Sequence, residues 1–212
     1  MNSMPIELYT DGSSLGNPGP SGLGYIIRHW VTPAENEMPV VKEIEGSQGF
    51  RLSTNNRMEI SAGLYGLKEV LKNIENGTFG SKIISLTSDS TYFCDAINKR
   101  WLDKWSQNNW MTSGFRGAPP QAVKNKDLWE QVIGIIGKLQ SMGVVLTVTH
   151  ILGHNGHEFN ERADKLAVAA SNNAAGYIID EAYEKDQQNR KTQFGNNNGG
   201  YKKPWQGNQT YQ

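Results

Sequence analysis

Residues 54–71 read TNNRMEISAGLYGLKEVL, and within them the hydrophobic pattern of the chain changes. Apolar residues here recur at a spacing of three and four, which lines one face of an α-helix; they are Ile60, Leu64, Leu67 and Leu71. A polar residue at 54–56 can cap the start of such a helix, and Asn76-Gly77 can end it. The stretch therefore predicts an amphipathic helix that buries one face.

The segment before this helix has the pattern of β-strands, and the segment after it alternates between strands and helices. Ile6 and Leu8 alternate with Glu7 and Tyr9, and a run rich in glycine and proline at 12–20 predicts a turn. The further predicted elements are strands at 23–28, 40–52, 82–88 and 144–148, short helices before 126, and helices at 127–142 and 158–170. The order β-β-β-α-β-α-α-β-α predicts a mixed sheet flanked by helices.

The composition changes again after about Ser171, where Asn, Gln, Gly and Tyr predominate. Few large apolar side chains remain there to offset the entropy cost of ordering the backbone. We therefore predict a folded domain at residues 1–171. The low-complexity C-terminal extension at 172–212 is predicted to be largely disordered.

The overall composition is typical of a globular protein, since 37% of the 212 residues are hydrophobic and 20% are charged. No apolar run approaches the roughly 18 residues that cross a membrane, so no membrane contact is predicted. Cys94 is the single cysteine and cannot form an internal disulfide, which favours a reducing, cytoplasmic location. We interpret Cys94 as a small buried hydrophobe.

The formal net charge is zero, but cations are concentrated at residues 99–126, where six of them accompany one anion. Aromatic residues are interleaved with these cations: Trp101, Trp105, Trp110 and Phe115. Such a segment is typical of contacts to a nucleic-acid backbone and its bases. It equally fits a solvated helix face whose tryptophans point into the core, and the segment alone does not separate the two interpretations.

Four acidic residues lie where predicted elements begin or end: Asp11, Glu59, Asp89 and Asp164. If the central strands are neighbours, these carboxylates meet at one edge of the sheet. Clustered carboxylates repel one another unless a cation lies between them, and hard oxygen ligands favour Mg²⁺ or Mn²⁺. Two such ions can activate a water on one side of a phosphodiester and stabilise the leaving oxygen on the other.

The residues around these acids resemble four ordered motifs of the type 1 ribonuclease H family. In chain order they are Thr10-Asp11-Gly12-Ser13 with Gly16-Asn17-Pro18-Gly19, Thr54-Asn55-Asn56-Arg57-Met58-Glu59, Thr87-Ser88-Asp89-Ser90, and Gly153-His154-Asn155-Gly156-His157 followed by Asn160-Glu161-Arg162-Ala163-Asp164. The resemblance spans residues 5–171. It implies an α/β, ribonuclease H-like fold with a five-stranded mixed sheet flanked by helices.

The resemblance also implies an activity, namely endonucleolytic hydrolysis of the RNA strand of RNA–DNA hybrids that leaves 5′-phosphate and 3′-hydroxyl ends. Two Mg²⁺ ions, with Mn²⁺ as a possible substitute, would be held by the four acids. Asp11 would bridge both ions, and Asp164 would complete the coordination of one of them.

His154 lies where the family places a mobile histidine that assists proton transfer or product release, a role that suits an imidazole near neutral pH. Without the resemblance, a surface loop histidine is the simpler interpretation. The spacing of His150, His154 and His157 would also suit zinc on a helix. The glycines at 153 and 156 would break that helix, so we do not favour zinc.

Substrate contacts are implied by the same resemblance. Ser14, Asn17 and Asn56 lie where the family contacts RNA, whose 2′-hydroxyl distinguishes it from DNA. Thr54 and Asn55 match a pocket for a phosphate of the DNA strand, although they also fit the simpler role of a helix cap. The residues that correspond to the protrusion gripping the DNA strand are Trp101, Lys104 and Trp105.

Three features depart from the family pattern, and the first two bear on substrate binding. The segment 106–109 reads SQNN and is less basic than in well-known bacterial members, which predicts weaker binding with a shallower salt dependence. Thr91 stands where many relatives have a longer amide side chain, so one RNA contact is in question. The predicted hairpin region at 31–50 is longer than usual.

Two other functions fit parts of the sequence. A DNA-directed nuclease or a DEDD-type exonuclease could use the same fold, but the Asn-rich segment 54–59 and the Gly-Asn-Pro-Gly loop argue against both. A non-catalytic module that binds RNA–DNA hybrids is the alternative from another class, although all four acids are present. The predicted partner is an RNA–DNA hybrid, with no protein partner and a monomeric state.

Overall fold

The structure is a computed structural model that describes residues 4–33, 37–114, 119–153 and 155–195. The chain divides into two compact units, Met1–Asp180 and Glu181–Gln212. In the second unit a helix covers Glu181–Gly195, with an ion pair between Arg190 and Asp186. None of the described helices combines the length and the apolar character that a membrane span needs.

The first unit is built on a mixed sheet. Its strands within the described residues are β1 (Ile6–Ser14), β2 (Gly19–Val31), β3 (Val40–Ser53), β4 (Ile83–Ser88), β5 (Val145–His150) and β6 (Tyr177–Ile178). They lie in the order β5-β4-β1-β2-β3-β6. The strands β1, β2 and β3 pair antiparallel, whereas β4 is parallel to both β1 and β5.

The mixed sheet is confirmed, but it has one strand more than the five predicted. The extra strand, β6, is two residues long and pairs with Gly49 and Phe50 of β3. A strand this short has no alternating hydrophobic pattern, so the periodicity of the sequence could not reveal it.

Helices flank the sheet. In the first unit they are α1 (Asn55–Glu75), α2 (Thr91–Asn98), α3 (Trp101–Gln107), α4 (Lys126–Ser141) and α5 (Glu158–Asn172), while α6 (Glu181–Gly195) belongs to the second unit. Between β4 and β5 the described residues contain α2, α3 and α4, where short helices and a longer one at 127–142 are predicted. Arg100, whose backbone is left-handed (φ 56°), separates α2 from α3.

Helix α1 forms as its sequence predicts. Thr54 caps its start by accepting a hydrogen bond from the Arg57 N–H, and the helix ends at Asn76. Its predicted apolar face is buried, since Ile60, Leu64, Leu67 and Leu71 are at most 5% exposed. This face packs in the main hydrophobic core with residues of β1 and β4.

Cys94 lies in the same core and is 1% exposed. Burial, together with nearby carboxylates, raises the pKa of its thiol to about 12. The interpretation of Cys94 as a buried hydrophobe is consistent with this environment.

The first unit continues beyond the predicted domain end at residue 171, as far as Asp180. After α5, β6 pairs with β3, and the Asp180 carboxylate accepts hydrogen bonds from Ser53 and Arg57. These partners are 123 or more positions apart in the chain, so local composition gave no sign of them. Within the predicted extension, residues 181–195 form α6, and residues 196–212 lie outside the described part of the chain.

Candidate active site

Three elements bring Asp11, Glu59 and Asp89 to one edge of the sheet. Asp11 lies on β1 and Asp89 directly follows β4, and the two strands pair side by side in parallel. Glu59 lies in the second turn of α1, which approaches β1 closely at Gly12. A Cβ on Gly12 would lie 2.3 Å from the Glu59 backbone nitrogen. The glycine after Asp11 is therefore required for the helix to come this near.

Asp164 is carried by α5, which packs against β1 and β2. The approach again depends on a glycine, because a Cβ on Gly24 of β2 would lie 2.3 Å from the Ala163 carbonyl oxygen. Asp164 is then close enough for its charge to act on Asp11. The charges of the other three predicted metal ligands thus all act on Asp11.

Asp11 is the most perturbed of the four. Its pKa is raised to about 8, first by burial and then by the charge of Asp89, with smaller contributions from Asp164 and Glu59. The N–H of Gly12 donates to the Asp11 carboxylate at 2.7 Å and opposes this rise only in part. A cation placed beside this buried carboxyl group would favour its ionised form and lower its pKa.

Neutral donors orient two of the carboxylates. The Asn55 amide donates to Glu59 Oε1 at 2.7 Å, and the Ser90 hydroxyl donates to Glu59 Oε2. Burial raises the pKa of Glu59 and so does the charge of Asp89, while these two hydrogen bonds lower it. Asn160, 3% exposed, donates to Asp89 Oδ2 at 3.3 Å.

Among the described residues, none of the four carboxylates forms an ion pair with a cationic side chain. Nor do any three His, Cys, Asp or Glu side chains in that part of the chain lie close enough to hold one metal ion as they stand. Repulsion between like charges acts over longer distances than metal coordination at about 2.1 Å. The carboxylates are therefore close enough to act on one another electrostatically, and their oxygens are the type of ligand that a hard divalent cation prefers.

The histidines are divided between described and undescribed residues. His154 lies outside the described residues. His150 is at the end of β5, and His157 precedes the first residue of α5. The described residues between them are not helical, so the helical spacing that would suit zinc does not occur there.

Two of the predicted substrate residues are joined at the start of α1. The side-chain oxygen of Asn17 accepts a hydrogen bond from the Asn55 N–H at 3.3 Å, which connects the Gly-Asn-Pro-Gly loop to the helix. Thr54 caps the helix, and Asn56 is exposed beside it. Ser14 is the last residue of β1, and its hydroxyl oxygen lies 2.8 Å from the Ser21 hydroxyl oxygen.

In the basic segment the tryptophans and the cations have different surroundings. Trp101 and Trp105 are partly buried against the core, and Trp105 lies 6.1 Å from the Trp129 ring. Several cations are already in ion pairs, as Arg100 is with Asp103 at 2.7 Å. Lys104 is exposed and has no ion pair with any described residue. Both interpretations of this segment therefore describe part of it, while Phe115 and Arg116 lie outside the described residues.

One charged cluster was not foreseen from the sequence. The Arg57 guanidinium donates to both oxygens of Asp127 at 2.9 and 2.7 Å and to both oxygens of Asp180 at 2.7 and 2.8 Å. Ser53 also donates to Asp180, at 2.6 Å. In the sequence, Arg57 stands out only as part of a motif. The acids that bind it lie on α4 and after β6, and no sequence signal connects them.

Comparison with known proteins gives consistent results. The family model for RNase H matches residues 3–172. The chain is 39% identical over 166 residues to a protein named Ribonuclease H from Idiomarina loihiensis, covering 78% of this chain and 87% of that protein. It is 37% identical over 169 residues to a protein of the same name from Nitratidesulfovibrio vulgaris strain DP4, covering 80% and 90% respectively. Among solved structures, LC9-RNase H1, described as a type 1 RNase H with the type 2 active-site motif, is similar with a TM-score of 0.58 and 28% identity over 87% of this chain and 81% of that chain.

Proposed function

The chain belongs to the ribonuclease H family, and from this premise we propose that it hydrolyses the RNA strand of RNA–DNA hybrids with two divalent cations. The reaction is endonucleolytic and leaves 5′-phosphate and 3′-hydroxyl ends. The observation that carries the proposal is the carboxylate cluster, in which a buried Asp11 feels the charges of Asp89, Asp164 and Glu59 without a cationic partner among the described residues. The curated relatives named Ribonuclease H support the choice of substrate.

The cations would be Mg²⁺, with Mn²⁺ as a substitute, and Asp11, Glu59, Asp89 and Asp164 would hold them. When bound, such ions lower the pKa of a water molecule and stabilise charge on the leaving oxygen. The chain itself supplies orientation, because Asn55 and Ser90 hold both oxygens of Glu59. Because burial and the neighbouring charges raise the pKa of Asp11 to about 8, binding of cations below that pH would release a proton.

Substrate recognition is proposed for the surface around the start of α1. Ser14, Asn17 and Asn56 would contact the RNA strand, and Thr54 with Asn55 would accept a phosphate of the DNA strand. The hydrogen bond between Asn17 and Asn55 supports a single continuous surface. Asn55 would serve two roles, since its amide donates to Glu59 and its backbone N–H lies at the helix N-terminus.

The grip on the DNA strand is proposed for Trp101, Lys104 and Trp105. The exposed Lys104 supports a phosphate contact, and the half-buried tryptophans hold the helix that carries it. His154 would assist proton transfer or product release. We further propose a monomer in a reducing, cytoplasmic compartment, supported by the single, buried Cys94.

The proposal is tested with an end-labelled RNA–DNA hybrid in Mg²⁺, compared with single-stranded RNA, duplex RNA and duplex DNA, each repeated with EDTA. We expect metal-dependent cleavage of the RNA strand of the hybrid alone. Cleavage of duplex DNA would favour a DNA-directed nuclease. Hybrid binding without cleavage would identify the chain as a binding module and refute the proposed activity.

A further inference from the structure

His150 is the last residue of β5 and lies beside the backbone of Asp89. It pairs in parallel register with Ser88 of β4, and the following residue, Ile151, donates its N–H to the Ser88 carbonyl at 3.1 Å. The His150 side chain is exposed, so core packing does not account for its position. The ring instead makes two polar contacts.

One ring nitrogen of His150 contacts two groups on the segment 89–91. Nε2 lies 3.2 Å from the Asp89 carbonyl oxygen and 3.1 Å from the Thr91 hydroxyl oxygen. A carbonyl oxygen can only accept a hydrogen bond, so this contact requires the imidazole to carry a proton on Nε2. The imidazole at the end of one strand therefore donates to the segment that follows the neighbouring strand.

The segment 89–91 orients two of the four carboxylates. Asp89 is its first residue, and the Ser90 hydroxyl donates to Glu59. The same hydroxyl oxygen accepts the Phe93 N–H at 3.1 Å and caps α2. Any rotation of the peptide between Asp89 and Ser90 would move one carboxylate and also the donor that holds another.

The carboxylate end of Asp89 is enclosed from the side of β5. A Cβ on Gly153 would lie 2.8 Å from Asp89 Oδ2, and Asn160 donates to that same oxygen. Gly153 thus lies against the carboxylate, while His150, at the end of β5, contacts the carbonyl. Asp89 is therefore contacted at its backbone from β5 and at its side chain by Gly153 and by Asn160 of α5.

We propose that His150 is a positioning residue for the hydrolysis, in which its Nε2–H holds the segment 89–91 so that Asp89 and Glu59 keep the orientation in which they act together. The inference rests on the proposed function. It gives His150 no contact with substrate and no proton to transfer. Thr91 also takes part, because its hydroxyl oxygen is a second acceptor for the same Nε2–H.

Four variants test this role. His150→Leu removes the ring nitrogens and keeps an apolar side chain of similar length. His150→Gln returns an N–H donor near the place of Nε2, and Thr91→Val removes only the hydroxyl. His157→Leu is the matched control, because His157 is also exposed and close in sequence, and its side chain makes no cap hydrogen bond to α5.

Two quantities are measured for each variant. The first is the split between kcat and KM on the hybrid. The second, measured without substrate, is the Mg²⁺ midpoint, which is the Mg²⁺ concentration that produces half of the maximal rise in melting temperature. Groups that orient metal ligands typically change activity or metal affinity by about 10- to 100-fold. We expect His150→Leu to lower kcat by at least about 10-fold with KM within about twofold, and to raise the Mg²⁺ midpoint.

The pattern across variants decides the outcome. His150→Gln should recover most of kcat and the midpoint, Thr91→Val should lose less than His150→Leu, and His157→Leu should resemble the wild type. The inference is overturned if His150→Leu matches His157→Leu, if it raises KM at unchanged kcat, or if the glutamine variant recovers neither quantity. A wild type that fails to cleave the hybrid refutes the proposed function instead, because the Mg²⁺ midpoints still test His150 on their own.

Discussion

Two clusters of carboxylates lie around residues only two positions apart on α1, and they handle charge in opposite ways. Around Arg57, the carboxylates of Asp127 and Asp180 share four hydrogen bonds to one guanidinium. Around Glu59, the nearby carboxylates are Asp11 and Asp89, and only neutral amides and hydroxyls contact them among the described residues. The first cluster contains its own cation, whereas the second lacks one.

The two clusters also differ in the causes of their pKa shifts. Burial alone would lower the pKa of Arg57, but its hydrogen bonds to Asp127 and Asp180 outweigh burial and raise it. At Asp11, burial and the neighbouring charges act in the same direction and raise the pKa. Charges that are compensated inside the chain stabilise the fold, while uncompensated ones are available to a ligand. Buried carboxylates therefore identify a candidate cation site only where no cationic side chain compensates their charge.

The largest expected effect comes from Asp11→Asn, which removes one anionic ligand from the uncompensated cluster. Metal-assisted stabilisation of the transition state amounts to several kcal/mol, so we expect hybrid cleavage to fall by about 10³-fold or more. Single-turnover cleavage in Mg²⁺ measures it. Asp186→Asn, which removes an exposed carboxylate of the second unit, is the control and should cleave normally. Near-normal cleavage by Asp11→Asn would mean that the metal assignment is wrong.

The next effect is on stability and concerns the compensated cluster. Arg57→Met removes the guanidinium that is paired with the buried Asp180, 8% exposed, and breaking a buried ion pair in this way costs about 3–5 kcal/mol. Urea unfolding measures the loss. The control is Arg190→Met, which breaks the exposed pair with Asp186 and should cost at most about 1 kcal/mol. Equal losses in the two variants would contradict a special role for the Arg57 cluster.

A third effect is the pH dependence of stability in the absence of divalent cations. Asp11 has a higher pKa in the folded chain, about 8, than its ordinary value of 3.8. The folded state therefore binds more protons between these values, and its stability decreases as pH rises from about 4 to about 8. Urea unfolding of the wild type and of Asp11→Asn at several pH values isolates this contribution. The variant should lose that part of the slope, and parallel curves would show that Asp11 titrates normally.

The smallest effect extends the comparison to cations. Lys104 is free of ion pairs within the described residues, whereas Arg100 is paired with Asp103. Lys104→Ala should weaken hybrid binding and reduce the slope of log affinity against log salt concentration by about one. Arg100→Ala should reduce it less. Binding by the Asp11→Asn protein at several salt concentrations measures both slopes without cleavage, and a larger change for Arg100→Ala would reverse the assignment.

Much of this arrangement could be predicted because it depends on local chemistry. The cap at Thr54, the apolar face of α1 and the end at Asn76 are each encoded within a few residues. The sequence places Asp11 just after a predicted strand, whereas β1 continues to Ser14; parallel pairing of β1 with β4 nevertheless brings Asp89 beside Asp11, as the sequence predicts.

The features that could not be predicted are those between distant residues. Asp180 binds Arg57 across 123 positions, and His150 reaches Asp89 across 61. Neither pairing leaves a periodic signal, and Asp180 lies in a stretch whose composition alone favours disorder. The two-residue strand β6 could not be predicted for the same reason, because it forms only where tertiary packing brings it beside β3.

The most direct test of the account is the effect of Mg²⁺ on the unfolding free energy of the wild type and of Asp11→Asn at pH 8. A ligand that binds only the folded state at about 100 times its Kd stabilises that state by about 2.7 kcal/mol. We expect Mg²⁺ to raise the unfolding free energy of the wild type by this order and that of Asp11→Asn by much less. Equal gains in both proteins, or no gain in either, would contradict the claim that the uncompensated carboxylates are a cation site.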